Sequence, residues 1–124
     1  MGAEHDLTGC RVLVVEDEFF IAADVTDALA ALGATVIGPF PRCDEAMAAL
    51  VREAPGFAVL DVNLQGTMVH ALADALVARG VPFVFATGYD AAAMPARFRD
   101  VPRWEKPFDP TALAAALPAL VRGG

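Results

Sequence analysis

Five short apolar runs punctuate the chain, and most are followed by a longer stretch whose apolar residues recur at helical spacing. RVLVV (11–15), ATVIG (34–38), FAVLDV (57–62) and PFVFA (82–86) are near-continuous, and VPRWE (101–105) is a weaker fifth. A strand that is apolar at almost every position has both faces buried. That happens when helices cover both sides of a parallel sheet. From Phe19 to Leu32, the residues Ile21, Val25, Ala28, Leu29 and Leu32 share one helical face, and Gly33 stands where a helix ends. A second helix begins at Asp44 or at Arg42-Cys43, passes through Met47, Leu50 and Val51, and stops at Pro55-Gly56. A loop around Asn63 to Gly66 leads to a third, through Val69, Leu72, Leu76 and Val77 to Gly80. Asp109-Pro110-Thr111 opens a last helix, Ala112 to Val121. The alternation predicts an open, doubly wound α/β domain with five parallel strands. Its weak point is DAAAMPARFRD, where Pro95 interrupts any helix after barely one turn, so the fourth helix is expected to be short or mobile.

At 124 residues, 56% of them hydrophobic, the chain is one ordinary domain with enough apolar surface for a real core. Residues 1–9 are expected to be a flexible N-terminal tail and residues 10–122 the folded domain, with no output domain after it. The opening MGAEHDLTG lacks the basic and apolar regions of a signal peptide, and no apolar run approaches the ~18 residues of a membrane span. The expectation is a soluble, cytoplasmic protein without a membrane partner. Net charge is −7 and the nine basic residues are scattered, which argues against nucleic acid, because phosphate backbones need a basic face. Cys10 and Cys43 form no CxxC and have no histidine at ligand spacing, so they are read as free thiols.

In doubly wound sheets the ligand site lies at the carboxyl ends of the strands. The first strand deposits Glu16 and Asp17 there, the third Asp61 and then Asn63, the fourth Thr87, and the fifth Lys106. The second brings only Gly38-Pro39. Each group has a plain alternative. The Glu16-Asp17-Glu18 run suits a helix N-terminus, Asp61 and Thr87-Gly88 suit turns, and Lys106 suits a solvated surface. Their coincidence on one rim is harder to explain this way. Two negative charges ~4 Å apart repel by about 4 kcal/mol at an effective dielectric near 20, so the cluster must raise a pKa, bind a cation, or both. With oxygen donors only, the expected cation is Mg²⁺. A divalent metal, a lysine and a hydroxyl donor are what a phosphoryl group needs around its oxygens, and Asp61, standing singly, is the best nucleophile.

The pieces VLVVEDE, VLDVNL, ATG and KPF, in this order and with Asp61 44 positions after Asp17, resemble the receiver domains of bacterial two-component response regulators. The resemblance covers residues 10 to 122. Phe85-Ala86-Thr87-Gly88-Tyr89 further resembles the FATGUY subgroup of single-domain receivers, with the hydrophobic position before the tyrosine absent. The resemblance implies a flavodoxin-like (βα)5 fold with strand order 2-1-3-4-5. It implies that Asp61 accepts a phosphoryl group from a histidine kinase or histidine phosphotransfer protein. Asp17 would bind Mg²⁺ directly, Glu16 through water, and Asn63 through its backbone carbonyl, with Asp61 as a further ligand. Thr87 and Lys106 would engage the phosphoryl oxygens. Beyond its own phosphoryl transfer and autodephosphorylation, the protein would be no enzyme. It would act as a monomer or weak dimer, through phosphorylation-dependent contact with an unknown downstream protein or by draining phosphate in a relay. Receivers usually carry an aromatic switch residue three positions before the lysine, and here Arg103 stands there, leaving Tyr89 or Trp104 as substitutes. Two other functions are compatible with parts of the pattern. A degenerate receiver would bind partners without phosphorylation. An aspartyl-phosphate hydrolase would need an acid/base two residues after its nucleophile, where this chain has Asn63. His5 and His70 are expected to be exposed and outside the chemistry.

Overall fold

The computed structural model describes residues 6–64, 67–88 and 94–123. Strands β1 (Arg11–Val15), β2 (Thr35–Phe40), β3 (Phe57–Leu60), β6 (Phe83–Thr87) and β7 (Arg103–Glu105) form one sheet in the order β2-β1-β3-β6-β7. All four pairings are parallel, and counted within the sheet alone the order is 2-1-3-4-5, as the resemblance implies. Two-residue strands β4 (Asn63–Leu64) and β5 (Thr67–Met68) pair antiparallel beside it, where an unstructured loop was expected. Helices α1 (Phe19–Ala31), α2 (Cys43–Glu53) and α3 (His70–Ala78) lie in connections between sheet strands, and α4 (Pro110–Gly123) follows β7. No helix among the described residues is long and apolar enough to cross a membrane.

The continuous apolar strands divide their side chains between two cores with a period of two. Leu13, Val15, Ala58, Leu60, Phe83 and Phe85 face α2 and α3, where Ala49, Leu50, Leu72 and Leu76 cover them. Val12, Val14, Phe57, Val59, Val84 and Ala86 face α1 and α4, against Val25, Leu29, Leu113 and Leu117. In α1 the buried positions Ala22, Val25 and Leu29 follow the expected stripe, and Gly33 takes a positive φ of 95° just beyond the helix. Val51 and Val77, apolar positions of α2 and α3, are exposed, because each helix buries a narrow face.

Strand β2 runs two residues past its expected end at Gly38. The bulge between Leu13 and Val15 of the partner strand admits Gly38-Pro39, and Phe40 pairs with Val15. Gly38 has a φ of 103°, and a Cβ there would lie 2.9 Å from the carbonyl oxygen of Val14, so only glycine fits. The peptide bonds Gly38–Pro39 and Lys106–Pro107 are cis. The described part of the expected loose tail is tied down: Leu7 is 2% exposed, donates from its N–H to the Leu32 carbonyl at 2.8 Å, and joins the α1–α4 core. Residues 1–5, with His5, lie outside the described residues.

Between β6 and β7 the described residues contain a single 3-10 turn, Ala96–Phe98, in place of a full helix. Residues 89–93, with Tyr89 and most of the expected fourth helix, lie outside the described residues, as do Gln65 and Gly66.

Candidate functional site

Register assembles the rim. Val15 pairs with Leu60, the last rung between β1 and β3, so Glu16 and Asp61 emerge side by side one residue later. Main-chain bonds fix both exits: Asp61 donates its N–H to Val15 O at 2.8 Å, and Glu16 donates to Phe40 O at 2.9 Å. Leu60 pairs with Phe85, and Thr87, the last residue of β6, is fully buried. Lys106 follows Glu105, the partner of Thr87, and its N–H bonds the Thr87 carbonyl at 2.9 Å. Glu16, Asp17, Asp61 and Lys106 are thereby brought together from the ends of β1, β3 and β7, with Thr87 at the strand end between the last two. Asn63 lies two residues beyond Asp61 in β4, and its side chain lies outside the described set.

Carboxylate oxygens of Glu16, Asp17 and Asp61 lie within 4.8 Å of one another. Glu16 and Asp61 are each only 5% exposed. Lys106 Nζ stands among them, 3.0 Å from Glu16, 3.2 Å from Glu18 and 3.3 Å from Asp61. Burial pushes the Asp61 carboxyl up from 3.8 to about 7, with the neighbouring Glu16 charge adding to the rise and Lys106 opposing it. The lysine pKa also rises: burial favours its neutral form, but hydrogen bonds and charge from Glu16, Asp61 and Glu18 outweigh this.

Four carboxylates therefore face one ammonium, an excess of negative charge in a partly desolvated place. The donors are all oxygens, from close and mostly buried carboxylates. That set fits a hard divalent cation such as Mg²⁺, which takes one or two carboxylates and keeps its remaining positions for water or a phosphate oxygen.

Three findings were not anticipated. Glu18, read only as a helix-start charge, pairs with Lys106 and donates its backbone N–H to Glu16 Oε2 at 3.0 Å. His70, expected to be exposed, is half-buried, with Nε2 shielded from solvent and its ring 5.9 Å from that of Phe98. The 3-10 turn folds over the start of α3 and covers it. Trp104 does not suit a switch coupled to Thr87. It pairs in register with Ala86 and packs on the α1–α4 side with Phe108, ring centroids 6.5 Å apart, whereas alternation puts Thr87 on the face of Phe85. Arg103, opposite Phe85, and Glu105, opposite Thr87, are the β7 residues on that face.

No family model matches the sequence, and no curated protein matches it. Solved structures do. The chain is 38% identical to SdrG from Sphingomonas melonis Fr1, covering 90% of this chain and 96% of that one at a TM-score of 0.76. It is 41% identical to the BeF3-activated conformation of SdrG from Pseudomonas melonis Fr1, over 90% and 95% of the two chains at a TM-score of 0.74. The response regulator PhyR from Brucella abortus is 27% identical, with a TM-score of 0.78 over 93% of this chain. The match spans 48% of PhyR.

Proposed function

Because the chain belongs to the receiver domains of response regulators, we propose that it is a signalling module that accepts a phosphoryl group on Asp61. The observation that carries this reading is the meeting of Glu16, Asp17, Asp61 and Lys106 on one rim, contributed by strand ends far apart in the chain. The donor is the phosphohistidine of a histidine kinase or a histidine phosphotransfer protein. A carboxylate oxygen of ionised Asp61 forms a bond to phosphorus while the donor's phosphorus–nitrogen bond breaks. The electron pair of that bond stays on the imidazole nitrogen, which takes up a proton from water, and Asp61 is left as an acyl phosphate.

Lys106 donates to one phosphoryl oxygen and the Thr87 hydroxyl to another, offsetting charge that the buried rim cannot disperse. Glu16, Asp17, Asp61 and the Asn63 carbonyl hold Mg²⁺. When bound, the ion neutralises charge on the phosphoryl oxygens. Asn63 offers no acid or base to move a proton, which favours a lasting acyl phosphate over a hydrolase cycle. The signal leaves by phosphorylation-dependent protein contact or by draining phosphate in a relay. Phe85-Ala86-Thr87-Gly88-Tyr89 supports placement with the FATGUY receivers.

Incubation with acetyl phosphate and Mg²⁺, followed by intact mass, tests the reading. The native chain gains one adduct of about 80 Da, and Asp61→Asn gains none. An adduct that persists on the variant, or that never forms on the wild type, overturns it.

A further inference from the structure

Glu18 occupies the N-cap position of α1, yet its side chain makes no capping bond. The first turn of a helix has N–H groups without intrahelical partners, and an acidic N-cap ordinarily accepts from one of them. Here the carboxylate reaches across the rim to Lys106, 88 positions away in sequence. The capping bond is forgone in favour of the lysine.

A lysine ammonium has three N–H donors. Glu16, Glu18 and Asp61 offer it three carboxylate acceptors at 3.0, 3.2 and 3.3 Å. A phosphoryl group arriving on Asp61 replaces that carboxylate with several charged acceptor oxygens, which compete with Glu16 and Glu18 for the donors of Lys106. The two are not equal. The Glu16 side chain is 4% exposed, and stripping a donor from a buried anion is costly. The Glu18 side chain is 56% exposed, and water replaces the lost donor at little cost.

We propose that Glu18 is a positioning residue that keeps Lys106 in reserve and competes with the phosphoryl oxygens for it. This rests on the reading of Asp61 as the acceptor. Glu18 would then set how tightly the phosphorylated state is held: its carboxylate occupies the lysine beforehand and repels the phosphoryl charge afterwards. Both effects act in the same direction.

The test compares wild type with Glu18→Gln, which keeps the side-chain length and the backbone N–H that bonds Glu16. Beryllofluoride, a mimic of the phosphoryl group, is titrated calorimetrically at saturating Mg²⁺. The variant is expected to bind about two- to five-fold tighter, the range of an exposed ion pair. Screening makes the ratio of the two affinities fall towards one in 1 M NaCl. Affinity for Mg²⁺ alone stays within about two-fold in the variant, because Glu18 acts on the lysine and not on the metal. Equal or weaker beryllofluoride binding by the variant, a ratio insensitive to salt, or a tenfold loss of Mg²⁺ affinity overturns this role while leaving Asp61 as acceptor. Failure of the wild type to bind beryllofluoride overturns the acceptor reading, and this role with it.

Discussion

Asp61 sits where a carboxylate is least comfortable: nearly enclosed, beside Glu16, and sharing its lysine with two other anions. Its folded pKa of about 7 lies above the ordinary 3.8, so without metal the folded state holds a proton that the unfolded chain releases. The stabilising contribution is complete below pH 3.8 and is lost as pH rises through 7. Asp61→Asn keeps the shape without the charge. In EDTA at pH 8 the variant should be more stable than wild type by ~2 kcal/mol or more, an advantage that shrinks below pH 5. Urea denaturation across pH checks this, and a difference that does not vary with pH would refute it. That Glu16, Asp17, Asp61 and Lys106 would meet was legible in the sequence, because Glu16 and Asp61 end apolar runs abruptly and Asp17 and Lys106 stand at strand ends on the same rim. The pairing of Glu18 with Lys106 was hidden, because a carboxylate at the start of a helix already has a sufficient local explanation. Only the tertiary distance to Lys106 reveals a second one.

The short 3-10 turn, Ala96–Phe98, is anchored in two ways. Phe98 is 1% exposed and meets Phe85 and Phe83 at ring-centroid distances of 5.8 and 6.5 Å. Arg97 lies 4.6 Å over the Phe98 ring and grips Asp74 of α3 with two bonds, of 2.9 and 3.0 Å. The two anchors differ in worth. Phe98→Ala removes a buried ring and should cost about 3–5 kcal/mol. Arg97→Ala breaks an exposed pair and should cost less than about 1 kcal/mol. Chemical denaturation of the two variants orders them, and comparable losses would contradict this account. Pro95 marks a break in helical pattern just before this turn, but the neighbours that bury Phe98 lie on a strand more than ten residues earlier, beyond local pattern. Strand β2 misled in the opposite sense. Gly38-Pro39 reads as a terminator, yet β2 is an edge strand, where a proline's missing N–H leaves no ladder bond unmade.

The alternation of apolar runs carried the architecture from the start, because a parallel sheet buried on both faces leaves so plain a trace. The same sheet ties the proposed metal site to global stability. The carboxylate cluster is assembled only when β1 and β3 are paired, so the unfolded chain lacks it, and Mg²⁺ at a hundred times its dissociation constant would add about 2.7 kcal/mol. Thermal unfolding should rise by several degrees with Mg²⁺ in the wild type and much less in Asp17→Ala. Equal shifts in both proteins would remove Asp17 from the ligand set.

Strand β7 is the outer margin of the sheet, three residues long and hydrogen-bonded along one side only. Lys106 hangs from its end, whereas Glu16 and Asp61 are rooted in the two strands at the sheet's centre. Whatever peels or braces that margin therefore shifts the lysine while the anions stay put, and the rim can be retuned from the side without its floor being disturbed.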